Sequence, residues 1–236
     1  MTNNHETAHA MQTQSLPNGT GGSSGGNVIT RRLITYLMSQ GGRPRGMVGR
    51  LTGWMMGRRC SNVQRNIWAV GLLDLQQTDR VLEIGFGPGV ATEAMSRKAG
   101  HVYGLDHSEE MLRQASKRNA TAIREGRVTL TLGSVTQLPS ELAGPFTAIL
   151  AVNSLGFWPN PVARLAELRQ RLAPGGRIAI VAQPRCPGAT RSTSLDAALR
   201  IEEQVRAAGC KEMRTEVLEL EPPVVCVIGK VAQVVP

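Results

Sequence analysis

Residues 80–89 read Arg80-Val81-Leu82-Glu83-Ile84-Gly85-Phe86-Gly87-Pro88-Gly89, an apolar, β-rich run that ends in a glycine turn. A short apolar run bounded by turn residues has the signature of a buried strand. Glycines let the backbone turn tightly and approach a ligand closely. The residues that follow, ATEAMSRKAG (91–100), have the composition of a helix. The stretch therefore predicts strand, turn and helix. In open α/β sheets that first turn sits at the carboxyl end of the strands, where ligands bind.

Toward the C-terminus the same alternation repeats. HVYGLD (101–106) predicts a second strand and SEEMLRQASKRNA (108–120) a second helix, with Ser108 as N-cap and Glu109 and Glu110 in its first turn. RVTLTLG (127–133) predicts a third strand and FTAILAVNS (146–154) a fourth. PVARLAELRQRLA (161–173) predicts a helix closed by PGG, RIAIVAQP (177–184) a fifth strand, and SLDAALRIEEQVRAAG (194–209) a long helix. MRTEVLEL (213–220) and VVCVIGKVA (224–232) predict a closing antiparallel pair. Strict alternation predicts an α/β fold with a doubly wound, mostly parallel seven-stranded sheet whose last strand is antiparallel. One domain over 77–236 accounts for all of it.

Residues 1–27 are rich in Asn, Gln, Thr, Ser and Gly without any period, and predict a disordered tail. Residues 28–40 and 47–76 predict helices broken by GGRPRG (41–46). In the second, Leu51, Trp54 and Met55 fall on one stripe, and Val63, Ile67, Val70 and Leu73 are expected to face inward. Residues 28–76 are thus expected to form an N-terminal helical cover.

The 236 residues carry a net charge of +9 and are 41% hydrophobic, enough for a core of ordinary size. The charge is uneven: residues 7–73 hold eight arginines and no acid, whereas the remainder is nearly neutral. The high isoelectric point therefore marks one segment and does not identify a nucleic-acid binder. No run approaches the roughly 18 apolar residues of a membrane span, and the polar N-terminus lacks the pattern of a secretory signal. Cys60, Cys186, Cys210 and Cys226 form no CxxC or Cys/His cluster, which predicts reduced thiols, no structural zinc and a cytoplasmic location.

Two ligand classes compete for the glycine turn. A dinucleotide fingerprint GxGxxG requires a third glycine where this chain has Val90. The Tyr-x-x-x-Lys pair of short-chain reductases is also absent. VLEIGFGPGVAT, followed by VYGLDHSEEML, resembles the first two motifs of the class I S-adenosylmethionine-dependent methyltransferases. The resemblance continues through GRVTLTLGSVTQLP, ILAVNSLGFWPNP and LRQRLAPGGRIAIV, in the expected order, over about residues 78–230. Its overall character is that of the broad bacterial group acting on small molecules, with a Rossmann-like sheet.

The resemblance implies S-adenosyl-L-methionine as cofactor and assigns candidate residues. Gly85, Phe86 and Gly87 would carry its amino-acid end, with Glu83 organising the loop. Asp106 would accept both ribose hydroxyls, and His107 would pack along the adenine. Gly133, Ser134 and Val135 occupy the loop that meets the adenine, with Ser134 where the family usually has Asp. A neutral hydroxyl accepts that hydrogen bond more weakly than a carboxylate. Asn153 and Ser154 follow the fourth strand, where backbone groups face the sulfonium and the acceptor.

Methyl transfer is an in-line displacement, so positioning and water exclusion can supply much of the catalysis. No general base is identifiable from the sequence. AVNSLGFW after the fourth strand offers no carboxylates for a metal-assisted site and no Asn/Asp-Pro-Pro-Tyr/Phe motif. The expected acceptor is a small molecule, and the arginines of the cover favour an anionic one. An RNA acceptor bound through the arginine-rich segment, a non-catalytic cofactor-binding protein, and peripheral contact with an anionic membrane are the competing readings.

Overall fold

The computed structural model describes residues 60–232, which run α1 (Cys60–Leu72), β1 (Arg80–Ile84), α2 (Val90–Met95), β2 (His101–Asp106), α3 (Glu109–Arg118), α4 (Ala120–Arg124), β3 (Val128–Leu132), β4 (Phe146–Val152), α5 (Pro161–Gln170), β5 (Leu172–Ala182), α6 (Arg191–Ala207), β6 (Lys211–Leu218) and β7 (Val224–Lys230). The expected tail over 1–27 and the cover over 28–59, with its stripe at Leu51, Trp54 and Met55, lie outside the described residues.

The seven strands form one sheet in the order β3-β2-β1-β4-β5-β7-β6. β1 to β5 are parallel, and β7 runs antiparallel to both β5 and β6. The central strands are apolar on both faces because helices cover both. On one face Leu82, Ile149, Ile178 and Ile180 pack with Leu165 and Leu168 of α5 and Ile201 and Val205 of α6. On the other, Val81, Ala148, Leu150 and Val181 pack with Ala69, Val70 and Leu73 at α1 and Met95 of α2. Strand order reverses between β1 and β4, and this reversal opens a crevice at the carboxyl end of the sheet.

Ser108 caps α3 as expected, its hydroxyl accepting the Met111 N–H. Three local expectations are corrected. The 108–120 helix divides at Asn119 into α3 and α4, because the Asn119 amide turns inward to the carbonyls of Gly89 and Ala115. β5 starts at Leu172, so the PGG stretch lies within the strand, where Leu172 pairs with Phe146.

The third correction concerns α1. Val70 and Leu73 are buried as expected, but Ile67 is 56% exposed and Val63 only partly covered. The inward face is instead Asn62, Arg65, Asn66, Ala69 and Val70. This face is apolar where the helix lies on the sheet and polar where it passes over the crevice. The C-terminal carbonyls of the α1 region are held to the sheet by arginines: Arg177 Nε donates to Leu73 O at 2.6 Å and Arg214 Nη2 to Leu72 O at 3.1 Å. No helix among the described residues is long and apolar enough to cross a membrane.

Leu150 lies fully buried at the centre of the sheet. Leu150→Ala is expected to lower the unfolding free energy by about 2–5 kcal/mol, measurable by chemical denaturation without loss of the native circular dichroism.

Candidate functional site

The turn after β1 takes its shape from its glycines. Gly85 has φ +80°, and a Cβ there would come within 2.6 Å of the Ser154 Cβ. Ser154 occupies that position because its hydroxyl donates to Ile84 O at 2.8 Å, joining the ends of β1 and β4. Gly87 has φ +51°, a conformation that costs a residue with a Cβ roughly 1–2 kcal/mol, and a Cβ there would meet open space.

Asp106, at the end of β2, ties this turn to the next. Its Oδ2 accepts the Gly87 N–H at 2.9 Å and its Oδ1 the Ser108 N–H at 2.9 Å. The His107 backbone N–H also bears on the carboxylate, which keeps acceptor capacity toward a hydroxyl in the cavity. Burial raises the Asp106 pKa, against the opposing pull of the Gly87 and Ser108 amides and of His107, whose Nδ1 lies 3.8 Å from Oδ1. Glu83 is buried beneath the turn and accepts the Thr92 hydroxyl at 2.6 Å. Desolvation pushes its pKa up to about 8, with the Thr92 hydrogen bond opposing and the nearby Asp106 charge adding to the rise. At neutral pH Glu83 therefore carries a proton.

A cavity of about 1170 Å³ opens at this end of the sheet. All ten candidate residues line it: Glu83, Gly85, Phe86, Gly87, Asp106, His107, Gly133, Ser134, Val135 and Asn153. They do not contribute alike. The Phe86 side chain is buried against Met111 and Ala115 and acts as core beneath the turn. Ser134 forms a local loop bond, its hydroxyl 2.8 Å from that of Thr136 and accepting the Thr136 N–H. Asn153, in a left-handed conformation at φ 53°, accepts the Gln183 N–H at 2.7 Å and so links the ends of β4 and β5.

Of the opposite wall the sequence pointed only to the arginines of the cover, Arg65 among them. Gln183, after β5, donates through Nε2 to Pro222 O at 2.8 Å and accepts from Arg65 Nη1 at 2.6 Å. Asn62, Arg65 and Asn66 line the cavity from α1, and Arg185 and Arg200 join them. The signal for the α1 residues was present as an i, i+3, i+4 spacing of polar side chains, which ordinarily marks a solvent face. For Gln183 there was none.

A nucleoside carrying an amino-acid tail fits this site. The Asp106 carboxylate offers acceptor capacity to a hydroxyl, and the turn backbone leaves open space at Gly87. Among the described residues no group of three His, Cys, Asp or Glu side chains converges as metal ligands would. The four cysteines are free, and Cys226, expected in the core, is buried there with its pKa pushed up to about 12 by desolvation.

Residues 81–176 match the methyltransferase domain family model. An uncharacterised methyltransferase of Bacillus subtilis, YdaC, is 28% identical over 183 residues, 76% of this chain and 97% of the relative. A ubiquinone biosynthesis O-methyltransferase of Xanthomonas axonopodis is 31% identical over 111 residues, 47% of this chain, and the match spans 45% of that enzyme. The structure of the N-methyltransferase NodS from Bradyrhizobium japonicum, in complex with S-adenosyl-L-homocysteine, superposes with a TM-score of 0.60 at 14% identity, covering 75% of this chain and 91% of that one. This last likeness is one of fold. Residues 81–176 thus carry a methyltransferase domain, and the fold is shared with S-adenosylmethionine-dependent methyltransferases. The chain is an enzyme of that kind, and its cofactor is S-adenosyl-L-methionine.

Because the folded-state pKa of Glu83 lies above its ordinary 4.5, its stabilising contribution is complete below about 4.5 and is lost as pH rises through about 8. Glu83→Gln retains an acceptor for Thr92 and cannot ionise. Between pH 5 and 9 (roughly the span of that titration) the variant's melting temperature is expected to fall less than that of the wild type, as read by thermal denaturation of the cofactor-free protein.

Proposed function

We propose that the protein methylates a small-molecule acceptor without a metal ion, with the acceptor seated between Asn153 and α1. The observation that carries this reading is the single cavity that runs from Asp106 to the Asn153–Gln183 wall. Its volume exceeds the roughly 300–1,000 Å³ of a pocket built for one drug-sized ligand, leaving space for a second molecule.

The bound cofactor supplies a methyl group on positively charged sulfur, an electrophile that needs no nucleophilic residue from the protein. In this reading Asp106 accepts the ribose hydroxyls, His107 lies along the adenine, and the Ser134 hydroxyl or its loop meets the adenine edge together with Gly133 and Val135. The Gly85–Gly87 backbone holds the amino-acid end, above Phe86 and Glu83. A protonated Glu83 adds no charge beside Asp106, so the turn keeps one anion for binding and one neutral support. The chain's catalytic share is orientation and the exclusion of water. We assign residues 77–236 to catalysis and 28–76 to a cover, of which α1 is the described part, and we place the enzyme in the cytoplasm on the strength of its reduced cysteines.

Asp106→Ala removes the acceptor for both ribose hydroxyls. Binding of S-adenosylhomocysteine, measured by calorimetry, is expected to weaken at least tenfold, or about 1.4 kcal/mol, and the wild type is expected to ignore NADPH. Tight NADPH binding with no response to S-adenosylhomocysteine would reject the reading.

Methyl transfer is expected to survive exhaustive chelation, because among the described residues no cluster of carboxylates converges to hold a divalent ion. Loss of turnover with chelator and its restoration by magnesium would contradict this.

A further inference from the structure

The charged groups of the cavity are segregated. Its two carboxylates, Glu83 and Asp106, stand at the ends of β1 and β2, whereas Arg65, Arg185 and Arg200 line the other half, beyond Asn153. Arg65 is the buried member of that set, at 3% exposure. Its Nη1 donates to Gln183 Oε1 and its Nη2 to Asn62 Oδ1, both neutral amides, and its Nε has no partner. Among the described residues no carboxylate lies within ion-pairing distance of Arg65 or Arg200.

A guanidinium withdrawn from water without a counter-ion is held at a cost that amide partners offset only in part. Burial, and next the charge of Arg185, lower the Arg65 pKa to about 10, so the side chain stays cationic at neutral pH. An anion entering the cavity would relieve both the missing counter-charge and the repulsion between the two arginines. The planar fork of arginine suits an oxyanion with two oxygens to present.

We propose that this arginine-lined half binds an anionic group of the methyl acceptor, a carboxylate or a phosphate monoester, with Arg65 as its buried anchor. The inference rests on the acceptor lying in this cavity, as proposed above. Gln183 is the positioning residue: its side chain fixes the Arg65 guanidinium, and its backbone N–H is bonded to Asn153 at the end of β4. The acceptor's charged end would thereby be tied to the strand end at which its reactive atom must be presented. A small anion is favoured over a nucleic-acid backbone because the anchor is buried in a cavity wall. Phosphodiester chains are ordinarily bound by exposed basic grooves.

The test uses the full chain saturated with S-adenosylhomocysteine in chloride buffers of matched ionic strength. Phenyl phosphate, benzoate and the neutral benzamide serve as probes, read by melting temperature. The wild type is expected to gain several degrees with at least one of the two anions and nothing with benzamide. The anion with the larger gain identifies the group. Gln183→Glu supplies an internal counter-ion to Arg65, and Arg65→Met removes the charge. Both variants are expected to lose most of that gain while binding S-adenosylhomocysteine within about threefold of the wild type. The basal melting temperature is not the readout, since Gln183→Glu also loses the bond to Pro222 O.

Absence of a response to either anion in the wild type would overturn the proposal, as would an undiminished response in both variants. An RNA duplex that stabilises the wild type more than either small anion would overturn it in favour of a nucleic-acid acceptor. If the wild type fails to bind S-adenosylhomocysteine by calorimetry, the methyl-transfer reading falls and this proposal with it. Intact cofactor binding without an anion response refutes this proposal alone.

Discussion

The carboxylate of Asp106 organises the carboxyl end of the sheet. By accepting one backbone N–H from Gly87 and another from Ser108, it holds together the turn after β1 and the start of α3. These turns follow adjacent parallel strands, and without a shared acceptor their amides would face the cavity unpaired. The left-handed glycines let the first turn reach the carboxylate, and the Ser154–Ile84 bond keeps β4 close behind it. The crevice at the strand-order reversal owes its shape to these few bonds.

A second constraint follows from the buried acid below. Desolvation of Glu83, with a smaller addition from the nearby Asp106 charge, pushes its pKa up to about 8. The neutral acid still accepts from Thr92 and so fixes α2 against β1. The opposite half of the cavity has the reverse character. There, among the described residues, the buried charge is cationic and is met by the amide oxygens of Asn62 and Gln183. One cavity thus presents an acidic end and a basic end, separated by Asn153.

Much of this was legible along the chain. Apolar runs of strand length, alternating with helical segments, specify the parallel sheet, and the glycine turn followed by an acid one strand later marks the end at which the cavity opens. Every candidate residue lies on the cavity wall. Phe86 shows the limit of that reading: its position in the motif is the expected one, yet its side chain serves the core, because the space under the turn is closed by Met111 and Ala115.

The sequence by itself determined the strands, their alternation with helices and the glycine turn after the first strand, because these depend on local periodicity and on residues that only certain backbone conformations accept. Tertiary structure alone decided the inward face of α1. Helical spacing favours Val63 and Ile67 as buried positions, but in the fold the helix, held at its C-terminal end by Arg177 and Arg214, turns Asn62, Arg65 and Asn66 toward the cavity. A periodicity argument counts apolar side chains and treats polar ones as solvent-facing. It has no means of recognising a polar stripe turned toward a cavity. The Arg65–Gln183 pairing is likewise invisible in one dimension, since it joins residues 118 positions apart and exists only because β5 ends where α1 passes above it.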